Sequence, residues 1–269
     1  MLWMRKYLSV FSMGLQSSME YRWDFLLGIL SIIFPLTIQF FLWTAIYKSS
    51  NSEIVYGYTY SQMLAYSILA VLTSKLIVSG FEWEVMEDIK NGGFSKFIVK
   101  PVGYLKYRLA CFFGQKSFNL LVIFIIVAIV LSLLNINFGF ETSFFNVVMF
   151  IISIILALFI NFLIYFSLAS AAFWINEATG VFVIANVVTS VISGGIFPLD
   201  IFGDKVLAVF SLLPFQYTIY FPVSILNGTL SFEGILNGLM IQALWITIML
   251  VIANIAWKFG MKKYTAAGG

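Results

Sequence analysis

Histidine is absent from this chain and cysteine occurs once, as Cys111, which closes off most metal, thiol-relay and histidine acid–base chemistry. Charge is scarce, 10% of the residues, and no GxxxxGK[ST] segment is present to hold a nucleoside triphosphate. No zinc-ligand pattern, nucleophile elbow or paired carboxylate falls inside an apolar run, so nothing is placed for intramembrane enzyme chemistry. Ionisable residues that mark proton or ion pathways are also missing from those runs, apart from Lys75. Lys75 lies near a span end, where its stem can snorkel to the headgroups. The net charge of +3 gives no reason to expect a nucleic-acid partner.

What the chain has instead is apolar bulk: 61% hydrophobic residues, 29 Phe and 7 Trp, with a mean hydropathy of +1.00. Such a composition exposes more apolar surface than a fold in water can hide. Several uncharged runs of roughly twenty residues define the class as an all-α polytopic membrane protein. The expected spans are 25–47, 60–80, 118–135, one within 142–176, 178–199 and 234–257, six in all. A further apolar run, 206–232, contains Pro214 and Pro222, each of which removes a backbone donor.

Charge topology decides how that run is read. Twelve of the 15 basic residues lie in three places: Arg5, Lys6 and Arg22; 90–116; and Lys258, Lys262 and Lys263. The positive-inside rule places all three in the cytoplasm, with both termini. Six spans satisfy this and a seventh does not, so 201–233 is expected to form a broken re-entrant or interfacial hairpin on the outer side. The weakest point in this topology is the short inner turn around Asn176 and Glu177.

Residues 1–23 form a separate element. Arg5, Ser9, Ser12, Gln16 and Glu20 make one polar helical stripe, and Leu2, Trp3, Tyr7, Leu8, Val10, Phe11, Leu15 and Met19 cover most of the rest. This suits an amphipathic helix at the cytoplasmic membrane interface, or one packed on the bundle; the two are compatible. The front segment is not expected to be a cleavable signal, because Arg5 and Lys6 are not followed by an unbroken apolar core. With no internal repeat or flexible linker, residues 1–269 are read as a single transmembrane domain.

The charged stretch is 81–116, where Glu82, Glu84, Glu87 and Asp88 precede Lys90, Lys96, Lys100, Lys106, Arg108 and Lys116. Residues 81–91 can form a short helix, acidic near its start and ended by Gly92 or Gly93 in a left-handed cap. Trp83, Val85, Met86 and Ile89 give it an apolar side. Lys100-Pro101 forces an extended step, and Lys96, Lys100, Lys106, Arg108 and Lys116 are expected against anionic inner-leaflet lipids. Either the segment is a solvated loop obeying the charge rule, or its helix is offered to a cytoplasmic partner.

At these residues the chain resembles the membrane (permease) subunits of type-2 ABC exporters. The segment IKNGGFSKFIVKPVGYL is similar to that family's pattern of I-x-x-G, apolar residues, then (K/R)-P after its coupling helix. The segment SGGIFPLDIF…LLPFQYTIYFPVSILNG, 193–228, is similar to its outer hairpin, with Gly194, Pro198, Pro214, Phe215, Pro222 and Gly228 in matching order. The likeness covers essentially the whole chain and is nearest to the bacterial branch with paired permease chains. It implies a non-catalytic subunit in a bacterial cytoplasmic membrane, facing a second permease chain, the same or different. ATP and Mg would be bound by separate ATPase subunits, this chain holding no cofactor. Glu82, Glu84, Glu87, Asp88, Ile89, Asn91 and Gly92 would couple to the ATPase, and the outer hairpin, with Gly194 and Gly195, would cap the exit. Gly194-Gly195 also suits simple close helix packing.

Gln39, Asn161 and Asn186 are polar within spans and could line a pathway or make interhelical hydrogen bonds. Two other functions remain open on sequence: an ion-coupled secondary carrier, disfavoured by the missing intramembrane carboxylates, and a partner-binding or immunity membrane protein that moves nothing.

Overall fold

The computed structural model describes residues 2–50, 52–78, 80–98, 102–175 and 179–264, with side chains from Arg5 onward except that of Ile98. The Lys100-Pro101 step, the turn at 176–177 and the side chains of Leu2 and Trp3 lie outside the described residues. Helix α1 (Leu2–Glu20) is followed by α2 (Arg22–Leu30) and α3 (Ile33–Ser50). The last two make one apolar segment broken at Ser31, because Pro35 has no N–H to return to the carbonyl four residues back. A short antiparallel hairpin, β1 (Ile54–Val55) and β2 (Tyr58–Thr59), leads into α4 (Tyr60–Ile77). A capping box, Thr59 with Gln62, satisfies the start of α4. Then come α5 (Phe81–Lys90), α6 (Ser95–Ile98), α7 (Tyr104–Phe138) and α8 (Phe144–Ala169), which runs into a 3₁₀ turn at Ser170–Phe173. The remainder is α9 (Thr179–Ile192), a 3₁₀ turn Leu199–Phe202, α10 (Asp204–Ser211), a 3₁₀ turn Phe215–Tyr217, α11 (Tyr220–Leu226) and α12 (Phe232–Met261).

Among the described residues, five segments are long and apolar enough to cross a membrane: Arg22–Ser50, Tyr60–Lys90, Tyr104–Phe138, Phe144–Phe173 and Phe232–Met261. The expected third span grows from 118–135 to a 35-residue helix. Hydropathy finds only its lipid-facing part; Lys106, Arg108 and Lys116 interrupt the apolar run without interrupting the helix. The acidic helix likewise follows directly on α4, and the two count together as one span. In its described residues the charged stretch is therefore α5, the short α6 and the start of α7 rather than one long loop.

The expected fifth span is α9, only 14 residues and so about 21 Å long, short of a hydrocarbon core of about 30 Å. The chain still traverses the bundle by continuing past the helix. Phe182 sets its ring against Trp83 of α5 at 4.9 Å; the Gly194 carbonyl accepts from Tyr66 of α4 at 2.7 Å; Asp200 accepts from Tyr58 at 2.5 Å. With this crossing, one end of the bundle holds α1, Phe94, Ser95, Phe173 and Tyr264. The other holds the β-hairpin, 139–143 and Leu226.

α10 and the 215–226 stretch are bent by 84° against each other. The bend sits at Pro214, which starts a 3₁₀ turn; Pro222 does not interrupt, since it lies in the first turn of α11, where an N–H has no helical partner. The turn dips inward: the Tyr217 carbonyl accepts from Gln242, ten residues or about 15 Å into α12. The core centres on α4 and α8, packed by Tyr66, Leu69, Ile154, Leu158, Phe162 and Phe166, all fully buried. α3, α9 and α12 turn Phe34, Phe41, Ile184, Val187, Met240 and Leu244 outward, the inside-out pattern lipid permits.

Candidate coupling site

Helix α5 presents two unlike edges. Phe81, Glu82, Val85 and Ile89 are buried against α8 and the 170–173 turn, whereas Glu84, Glu87 and Asn91 are exposed. Two members of the expected coupling set therefore turn inward: Glu82, 1% exposed, and Ile89. Their spacing from Val85, three and four residues, puts them on the packed face. The helix ends where Gly92 adopts φ +74°, and the Phe94 N–H folds back onto the Asp88 carbonyl at 2.7 Å. That turn drives Phe94 into an aromatic cluster with Tyr104 (5.1 Å), Trp257 (5.2 Å) and Tyr264 (5.2 Å). The Tyr264 and Ser95 hydroxyls meet at 2.9 Å.

Asp88 is largely covered as well. Its Oδ2 accepts from the Arg108 guanidinium at 2.5 Å and from the Tyr104 hydroxyl at 2.7 Å, and Arg108 also pairs with Glu84. Arg108 Nε closes the ring by donating to the Tyr104 oxygen at 2.9 Å. Arg108 and Lys116, expected against lipid headgroups, are thus only 7% and 6% exposed. Burying an ammonium requires partners, and Lys116 donates to the Leu76 and Val78 carbonyls at 2.6 and 2.5 Å. Asn161 of α8 donates to the intervening Ile77 carbonyl at 2.9 Å. Three successive carbonyls at the α4–α5 junction, orphaned by the helix end, are satisfied by side chains of two other helices. Outside this packing lies a polar cleft of about 420 Å³ bordered by Glu84, Glu87, Asn91 and Lys96.

The three polar residues expected along a pathway all make contacts between segments. Asn161 caps α4, Gln39 donates to the Ile196 carbonyl at 3.2 Å, and Asn186 accepts from Tyr165 at 2.5 Å. In the 193–228 region, Gly194 takes φ +78°, and a Cβ there would lie 2.7 Å from the Tyr66 hydroxyl oxygen. A Cβ on Gly195 would lie 2.9 Å from Ser74 Oγ. Both glycines are therefore closely packed. Pro198, buried, opens the turn that carries Asp200.

Two groups escaped the sequence reading because their partners are distant in the chain. Asp200 accepts from Tyr58 and Tyr220, joining the β-hairpin to the 193–228 region. Burial, with Tyr220 and the hydrogen bond to Asp200 adding to it, pushes the Tyr58 phenol well above its ordinary value and keeps it a donor. Gln242, fully buried, donates to the Tyr217 and Ser153 carbonyls at 2.8 and 3.1 Å and accepts from Ser153 Oγ at 3.1 Å. A Gln inside an apolar helix was the available signal. Gln242→Leu leaves the Tyr217 carbonyl buried without this donor and is expected to cost about 1 kcal/mol. Chemical denaturation in detergent checks this; unaltered stability would mean that the dip holds without Gln242.

These helices, packed around a buried polar junction with an acidic edge left open at one end, define an all-α multi-pass membrane protein. Residues 33–268 match the family described as ABC-2 family transporter protein, and the chain belongs to that family. It is a transmembrane permease component of an ABC transporter, a generally non-catalytic part, and the family implies association with ATPase subunits. No curated protein matches the sequence.

Proposed function

We propose that this chain is the permease half of an ATP-driven exporter in a bacterial cytoplasmic membrane, facing a second permease chain and gripped by separate ATPase subunits at the 84–91 edge. The observation that carries the reading is the two-sidedness of α5. Its outward edge offers Glu84, Glu87 and Asn91, while Arg108 of α7 holds Asp88, the buried face packs on α8, and the α4 end just before it is tied to α7 and α8 by Lys116 and Asn161. A push on the outer edge is passed to three spans together rather than absorbed in a flexible loop. In this reading ATP-driven closure of the ATPases moves the 81–98 segment, α1 braces the start of α7, and the 193–228 region closes the far side. ATP and Mg stay on the ATPase, and this chain carries no catalytic group.

Glu87 is exposed, so Glu87→Lys reverses charge at the docking edge without disturbing the core. The variant is expected to insert normally but to retain at least tenfold less ATPase in a gentle-detergent pull-down from native membranes. Its ATP turnover should no longer respond to cargo. Full ATPase retention with normal cargo-stimulated turnover would remove 84–91 as the docking edge.

A further inference from the structure

A second cavity, about 670 Å³, opens at the same end of the bundle as the coupling cleft, with Phe97 bordering both. Its floor is the stacked pair Tyr104 and Trp257, with ring centroids 4.8 Å apart and planes 8° from parallel. One wall is a stripe of α12, Leu250, Asn254 and Met261; the opposite wall is Tyr7 of α1. Among the described residues that border it, Lys106, exposed at the mouth, is the charged one and none is a carboxylate. The α7 start that it lines, at Gly103, has no side-chain cap and no acid in its first turn. Exposed Arg5, Lys6, Lys258 and Lys262 lie beside the wall residues on α1 and α12 and carry the positive rim further.

From these features we infer that the groove holds one anionic glycerophospholipid from the leaflet at the basic end of the bundle. Length argues for a lipid over a soluble anion. Lys258 and Lys262 mark the headgroup level on α12, and Leu250 lies eight residues, or about 12 Å, deeper along the same helix. The groove thus joins a cationic mouth at headgroup depth to an apolar wall at acyl-chain depth. A free phosphate would use only the mouth, and a zwitterionic lipid would gain nothing from the excess positive charge. The inference requires only that this end of the bundle meet a membrane surface, and it stands apart from the assignment of the coupling edge.

The test is native mass spectrometry of the purified full-length chain, delipidated and then titrated in detergent with dioleoyl phosphatidylglycerol or dioleoyl phosphatidylcholine. One phosphatidylglycerol should bind at least tenfold more tightly than phosphatidylcholine, and inorganic phosphate at the same concentration should not displace it. Lys106→Gln removes the cation at the mouth, and Leu250→Trp, at a position 42% exposed, fills the apolar wall. Each should lower phosphatidylglycerol retention at least fivefold while leaving thermal unfolding unchanged. Equal binding of the two lipids, displacement by phosphate, or wild-type retention in Lys106→Gln would each overturn the assignment. So would wild-type retention in a folded Leu250→Trp.

Discussion

Arg108→Leu is expected to cost about 3 kcal/mol of stability and to detach the acidic helix from its support. Among the described residues the guanidinium is the one cation in contact with Asp88 at hydrogen-bond distance; Lys96 stands at 3.8 Å. Asp88 has a side chain only 14% exposed, so losing the guanidinium leaves a carboxylate in a poor environment for charge. The lost pairing with Glu84 contributes little, because that side chain is half in solvent. A double-mutant cycle separates the causes: Asp88→Asn removes the stranded charge, so the penalty of Arg108→Leu should shrink by more than half in that background. Arg108→Lys should recover only part, since a compact ammonium cannot serve both carboxylates and the Tyr104 oxygen. Denaturation in detergent reads all four variants. If Arg108→Leu unfolds at the wild-type midpoint, the cluster does not hold the helix.

The second large effect is expected at the contact between α1 and α7. Gly14 and Gly114 face each other's helices so closely that a Cβ on Gly114 would fall 2.2 Å from the Phe11 carbonyl oxygen, and one on Gly14 2.3 Å from that of Cys111. The obstacle in both cases is backbone, which cannot rotate aside, so the helices must part. Gly114→Leu should release α1 from α7. Ser18 and Asn119, whose polar atoms lie 3.5 Å apart, report this as a disulfide after Ser18→Cys and Asn119→Cys in a Cys111→Ser background. The Leu substitution should cut the yield at least tenfold; an undiminished yield would show that α1 docks without the glycine contact.

Both effects bear on what could be read from residues alone. Five of the six expected span positions were legible because uncharged length is a local property, and so was the end of the acidic helix, because Gly92 supplies a conformation other residues resist. The polar stripe of α1, Arg5, Ser9, Ser12, Gln16 and Glu20, is exposed as its spacing predicts, while Gly14 and Phe11 turn to α7. Arg108 and Lys116 were misread for a physical reason. The charge rule gives the side of the membrane on which a base lies and nothing about which helical face carries it. Their partners are the Asp88 carboxylate and the Leu76 carbonyl, 20 and 40 residues away. Asn161 and Gln242 are similar cases: a polar residue in an apolar helix declares a partner without naming it, and here the partners are backbone carbonyls at helix breaks.

Helix α7 also sets a mechanical ratio. Its 35 residues reach about 52 Å against a hydrocarbon thickness of about 30 Å, so some 20 Å, carrying Arg108 and the α1 contact, extends beyond the hydrocarbon into the headgroup level and past it. Pivoted at mid-membrane, such a rod has arms of about 35 and 15 Å, and a tilt of ~10° moves its free tip by ~6 Å and its far membrane end by under ~3 Å. On the coupling proposed above, the helix would act as a reduction gear: a broad stroke at the charged end would become a short displacement across the membrane, delivered with about twice the force.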